Sequence, residues 1–290
     1  MAVGPPLDPG RQSWADILAA WSGLFSKKSF FPYHRCDHCR LLYDPVYFTE
    51  AQLKELYERM QPNMAEAGSP EPLRQTQEGY FAYLAALVRP GGGYLELGPD
   101  IGTFARRCSN SVHIDRFWLI EPNLGVWSEL KAALSGVPTR VSAGLDAIDA
   151  IPDGSLKIVV AIHVLDHLLN PADTLRRIRP KMAPDGVFLS VTHNERSVLA
   201  RLLGTRWPPY SLQHPQLYNA KTVGELFQHS GFTPIKVVRT YNHFPTGFLI
   251  RQALWALLRI PIEKLGFLES ISVRLRLGNI AAIALPKTGP

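Results

Sequence analysis

The sequence predicts an α/β fold: a doubly wound, mostly parallel sheet of about seven strands with an N-terminal helical and irregular cap. Three observations carry that expectation. From Gly93 onward, short apolar runs alternate with helix-like segments, the pattern of parallel strands joined by right-handed crossovers. The first run, YLELG at 94–98, passes through a turn with glycines at 98 and 102 into a helix-like segment. Just before it, Arg89, Pro90 and the glycines at 91, 92 and 93 end a helix firmly.

Taken in order, residues 1 to about 30 open with Pro, Gly and Ser and continue into the weakly helical WADILAAWSGLF, a leader or loose cap. FPYHRCDHCRLLYDP is aromatic and turn-prone. In TEAQLKELYERM, Thr49 is a suitable N-cap, and Leu53, Leu56 and Tyr57 share one helical face. After a break at PNMAEAGSPEP, RQTQEGYFAYLAALV reads as a further helix. We therefore expect a cap over 1–74 and a main domain over 75–290. Within the latter, strands are expected at YLELG, FWLIEP, TRVSAG, LKIVVAIHV, VFLSVTH, PIKVVRTY and NIAAIALP. Helices fall between them, including PADTLRRIRPKMAPDG with its exit turn and KTVGELFQHSG. Insertions interrupt the pattern at about 195–220 and 242–278.

Bulk properties narrow the function classes. A chain of 290 residues, 46% apolar, can bury a large core, so wholesale disorder is excluded. The net charge of +6 is uneven, because from Arg196 onward the acids are only Glu225, Glu263 and Glu269. Such a basic stretch suits a phosphate-bearing partner or an anionic surface, and equally a solvated face. Three cysteines, Cys36, Cys39 and Cys108, are too few for a disulfide framework and fit a reducing compartment. The N-terminus has no basic run followed by an apolar stretch, and FLIRQALWALLRIPI is interrupted by Arg251, Gln252 and Arg259. A cytoplasmic protein is the expectation, and with no recognisable binding module no nucleic-acid partner is expected.

The first strand-turn-helix is where an open α/β sheet binds its ligand. Glycines at 98 and 102 let the backbone approach that ligand. Asp100 stands where a dinucleotide fingerprint would have glycine, and Glu96 precedes it on the strand. Two carboxylates there would repel a pyrophosphate and favour positive groups such as an ammonium or a sulfonium. At 163–167 the pair His163 and His167 has the i, i+4 spacing of a zinc pair, but without the H-E-x-x-H arrangement, and no metal is expected.

ELGPDIG resembles motif I of class I S-adenosylmethionine-dependent methyltransferases, with Asp100 in place of the middle glycine. HVLDH, with Asp166 in place of a glutamate, resembles the fourth-strand region of the same family. The resemblance implies a Rossmann-like sheet and S-adenosylmethionine as cofactor. It places Glu96, Gly98, Asp100 and Gly102 around the methionine portion, Glu121 on the ribose hydroxyls, and Asp146, preferred over Asp149, near the adenine amino group; His163 belongs to the same cofactor set. Lys157, where the family often has aspartate, lies at the far end of its strand. LLGTRWPPYSLQHPQLYNAKTVGELFQHSGFTPIKV resembles the substrate-side segment of a methyltransferase subgroup, which would set Trp207, Tyr210, His214 and Tyr218 at the mouth of the site. His167 and His214 are the candidate catalytic bases.

Cys36 and Cys39 resemble part of an N-terminal zinc module of some sugar-modifying methyltransferases, but residues 1–35 lack the further cysteines, and four ligands are wanted. The expected acceptor is a small molecule, a sugar or glycan, or a lipid-linked compound, with peripheral membrane contact through 248–276. Two other readings stay open: a catalytically silent binding or scaffold protein on the same fold, and a nicotinamide dehydrogenase, against which Asp100 argues.

Overall fold

The computed structural model describes residues 8, 11–21, 30–58, 70–258 and 266–287. Of the expected leader and cap, residues 1–7, 9, 10, 22–29 and 59–69 lie outside the described residues, as do 259–265 of the 248–276 span.

The cap supplies α1 (Trp14–Trp21), β1 (His34–Arg35), β2 (Leu42–Tyr43), α2 (Glu50–Glu58) and α3 (Pro70–Leu84). The sheet region follows with β3 (Gly93–Leu97), α4 (Thr103–Ser109), β4 (Arg116–Ile120), α5 (Trp127–Ala133), β5 (Thr139–Ser142), β6 (Leu156–Ile162), α6 (Pro171–Ile178) and β7 (Met182–His193). Next come α7 (Val198–Leu203), β8 (Gln216–Leu217), α8 (Ala220–His229), β9 (Phe232–Arg239), β10 (Asn242–Pro245), α9 (Thr246–Leu258), β11 (Ser272–Leu275) and β12 (Asn279–Pro286).

Among the described residues the main sheet has seven strands in the order β5-β4-β3-β6-β7-β12-β9. The first five pair in parallel, whereas β12 runs antiparallel to both β7 and β9. β3 and β6 are apolar almost throughout because helices cover both faces, and one such layer buries Tyr94, Phe104, Phe117, Leu130 and Val160 together. Strand order reverses beside β3, between β4 and β6, which opens a crevice beyond their carboxyl ends.

The expected helix through KMAPDG is corrected. It ends at Ile178, a short 3-10 turn spans Arg179–Lys181, and β7 already begins at Met182, paired with Leu156. Pro180 has no N–H to give to a continuing helix, so the chain leaves it there. Helix α3 begins at Pro70 and runs across the expected boundary at residue 74.

The cap is fastened to the sheet region by pairing. Leu42 and Tyr43 of β2 face Leu217 and Gln216 of β8, making a three-stranded sheet with β1. The Arg35 guanidinium meets Glu195 at 3.1 Å, and Asn219 donates to the same carboxylate. Thr49 caps α2 reciprocally with Gln52, and Leu53 and Leu56 bury against Trp21, Phe31, Phe48 and Leu212. In the chain between β9 and β12, β10 and β11 flank α9 and pair antiparallel as a two-stranded sheet beside α3, with the His243 N–H donating to Thr76. No helix among the described residues is long and apolar enough to cross a membrane.

Candidate cofactor and acceptor site

A cavity of about 1300 Å³ fills the crevice where the strand order reverses. One half is lined by the ends of β3, β4 and β5. There Tyr94 donates its hydroxyl proton to Glu96 at 2.6 Å, and Glu96 is only 3% exposed. Glu121 follows β4, and its two carboxylate oxygens accept the backbone N–H groups of Asp100 at 2.9 Å and Asn123 at 2.8 Å. These bonds aim the carboxylate into the cavity and leave lone pairs for a ligand's hydroxyls.

Gly98 and Asp100 both have left-handed backbones, with φ of 62° and 50°. A Cβ on Gly98 would lie 2.7 Å from Val164, so the loop can pass there only as glycine. Asp100 adopts the conformation its sequence position would assign to a glycine, and aspartate is among the few side chains that tolerate it. The departure at residue 100 thus leaves the loop's path intact. Gly102, with φ of 78°, does not line the cavity; a Cβ there would meet Leu130 at 2.7 Å, so this glycine seats the start of α4 against α5.

Burial raises all three carboxyls of this half. Glu96 is pushed up to about 8, with Glu121's charge adding to the effect. Glu121 reaches about 7 although the Asn123 and Asp100 amides oppose the rise. Asp100 is pushed up to about 6 by burial and then by Glu129. Three buried carboxyls are thus gathered in one crevice, each costly to ionise there without a further partner. Asp146 lines the same cavity, whereas Asp149 is tied to Arg177 at 3.0 Å and does not. Lys157 pairs with Asp185 at the opposite end of β6.

The other half is built of imidazoles. His163, His167, His193 and His214 all line the cavity, and ring centroids are 4.5 Å apart for His163–His193 and His167–His214 and 4.9 Å for His193–His214. Asp166 lies beneath them with no exposure, its Oδ2 2.6 Å from His193 Nδ1. Burial works against its charge, but His193, by charge and hydrogen bond, and then His214 and His167 hold it below the ordinary carboxylate range. Burial depresses His163 to about 3, and lowers His167 and, further, His214. His214 Nδ1 is 2.7 Å from the Pro209 carbonyl, which can only accept, so Nδ1 carries the proton and Nε2 the lone pair. His167 Nδ1 is 3.0 Å from the Tyr57 hydroxyl, which α2 brings over the site.

Of the four substrate-side residues expected at the mouth, only His214 lines the cavity. Trp207 packs with Leu42, Ala200 and Leu217, and Tyr210 meets Tyr33 and Trp207 edge-on. Tyr218 is 1% exposed in the main core. Large rings on this loop gain more by sealing it to the β2–β8 ribbon than by facing an open cavity. Sequence reasoning missed His193 and Tyr57. His193 ends a strand at the carboxyl edge, which is where an open sheet binds ligands; Tyr57 gave no such signal.

Cys36 and Cys39 are free thiols in the turn between β1 and β2, where the Arg40 N–H donates to the Cys36 carbonyl. Amides at Cys39 and His38 lower the Cys36 thiol.

Residues 73–237 match the family described as methyltransferase domain. No curated protein matches the sequence. Among solved structures, one chain of a Haloferax volcanii complex between a methyltransferase activator and a methyltransferase superposes with a TM-score of 0.55 at 14% identity, covering 79% of this chain and 97% of that one. A Leishmania major S-adenosylmethionine-dependent methyltransferase gives 0.54 at 14%, over 81% and 82%. The Burkholderia thailandensis 1,6-didemethyltoxoflavin-N1-methyltransferase, solved with its substrate and S-adenosylhomocysteine, gives 0.53 at 14%, over 88% and 99%. At such identities the likeness speaks for the fold.

Proposed function

The chain belongs to the methyltransferase domain family, and on that premise we propose that it methylates a small-molecule, sugar or glycan, or lipid-linked acceptor seated in the imidazole-lined half of the cavity. It is an S-adenosylmethionine-dependent enzyme, and the cofactor supplies an electrophilic methyl group on a sulfonium. The observation that carries the placement is geometric: the carboxyls of Glu96, Asp100 and Glu121 line one cavity at the reversal of strand order, with the Asp100 amide tied to Glu121.

In this reading Glu121 accepts the ribose hydroxyls, and Glu96, Gly98 and Asp100 surround the methionine portion. Asp146 faces the adenine amino group, Gly102 holds the loop from behind, and His163 closes the cofactor half on the β6 side. The protein's part in the transfer is to align donor and acceptor and to exclude water, a task for which α2 is placed over the cavity. Where the acceptor is a hydroxyl or a carbon acid, His214 Nε2 takes its proton, because Nδ1 is already committed to the Pro209 carbonyl. His167, oriented by Tyr57, is the second base candidate. The Burkholderia neighbour holds bound 1,6-didemethyltoxoflavin, which is in keeping with a small-molecule acceptor here.

The test is transfer of tritium from methyl-labelled S-adenosylmethionine into fractionated polar and lipid extracts. Label is expected in one fraction and is lost with His214→Ala. Cofactor binding with no label transferred to any fraction would favour a silent scaffold.

A further inference from the structure

His163, Asp166 and His193 are drawn together so that one ligand atom from each lies within 4.8 Å of the other two. Two of their buried polar atoms, Asp166 Oδ1 and His163 Nδ1, have no hydrogen-bond partner. Leaving a buried polar atom unpartnered is destabilising, and two such atoms in one cluster point to a shared missing partner. The i, i+4 pair His163 and His167 is not the source of this geometry: β6 ends at Ile162 and the next residues turn rather than form a helix, so His193 of β7 meets His163 instead.

We propose that His163, Asp166 and His193 bind a divalent transition-metal cation of the zinc or ferrous class. Two imidazoles and one carboxylate suit such borderline ions, whereas magnesium and calcium favour oxygen ligands throughout. Binding involves no change of oxidation state: each imidazole offers the lone pair of a ring nitrogen and Asp166 a carboxylate oxygen, and any proton displaced from these atoms passes to solvent. Three protein ligands leave a position open, as reactive rather than structural sites do, and here it faces the cavity that His167 and His214 also line. A metal there would polarise an acceptor oxygen. Metal binding does not depend on the methyl-donor reading, whereas the polarising role rests on it.

The metal-free full chain is equilibrated separately with Zn²⁺, Fe²⁺ under argon, Co²⁺ and Mg²⁺, then desalted and assayed by plasma mass spectrometry, with the visible Co²⁺ spectrum as a geometric readout. Retention of about one zinc, iron or cobalt per chain and no magnesium is expected, unchanged in a Cys36→Ser, Cys39→Ser double variant. His193→Ala and the isosteric Asp166→Asn should weaken retention more than about 100-fold, with circular dichroism unchanged for at least Asp166→Asn. The proposal is overturned if no metal is retained, or if the metal survives Asp166→Asn and vanishes with the cysteines.

Discussion

The Asp100 backbone N–H donates to the Glu121 carboxylate at 2.9 Å, tying the loop after β3 to the end of β4 across the reversal of strand order. Glu121→Ala removes this tie and the charged acceptor together. We expect affinity for S-adenosylmethionine to fall by about 1.5–3 kcal/mol, with the Asn123 turn also loosened. Titration calorimetry of the variant checks it; unchanged affinity would remove Glu121 from the cofactor site.

The raised acids set a pH dependence. Because Glu96, Glu121 and Asp100 have folded pKa values of about 8, 7 and 6, the native state holds more protons than the unfolded chain above the ordinary carboxylate range. Their contribution to stability is full below the unfolded pKa values and declines as pH rises through 6 to 8. A cationic ligand favours the ionised forms, so the rise in Tm caused by S-adenosylmethionine should be larger at pH 8 than at pH 6. Thermal scans with and without cofactor read both slopes, and Glu96→Gln should flatten them.

Backbone strain in the loop separates its residues. Gly98→Ala places a Cβ at left-handed φ and 2.7 Å from Val164, so a loss of about 1–3 kcal/mol is expected in urea unfolding. Asp100→Gly relaxes the same kind of backbone and should be neutral or stabilising by up to about 1 kcal/mol. A destabilised Asp100→Gly would show that its carboxylate, rather than its backbone, holds the loop.

Much of this was legible in the sequence. The seven strands and the glycine loop with its neighbouring Glu96 follow from local periodicity and turn chemistry, because buried parallel strands are read residue by residue, whereas Glu121 was singled out only by the family resemblance. The antiparallel insertion of β12 between β7 and β9 was not, since pairing partners are chosen by distant surfaces. Nor were the inward rings of Trp207 and Tyr218, because an aromatic residue on a loop gives the same local signal whether it faces a ligand or the core. The imidazole cluster needed residues 163 and 193, thirty positions apart, to meet in space.

Asp44 is a buried acid with neither carboxylate oxygen partnered, and burial pushes it up to about 8. Its stabilising neutral form is lost as pH rises through that value. Because the unfolded carboxyl ionises near its ordinary value, the advantage of Asp44→Asn over the parent chain should already be growing at pH 6. It should increase by a further ~1–3 kcal/mol by pH 9, at about 1.4 kcal/mol per pH unit up to the folded value. Urea unfolding at the two pH values decides, and equal stabilities at pH 9 would mean that Asp44 finds a partner in solution.

Whether the crevice at the ends of β3 and β4 holds the methyl donor is decided by calorimetric titration of the intact protein with S-adenosylmethionine and with S-adenosylhomocysteine. Saturable 1:1 binding of both, competing for one site, is expected. Absence of binding by either, with no protection against thermal unfolding, would contradict that placement.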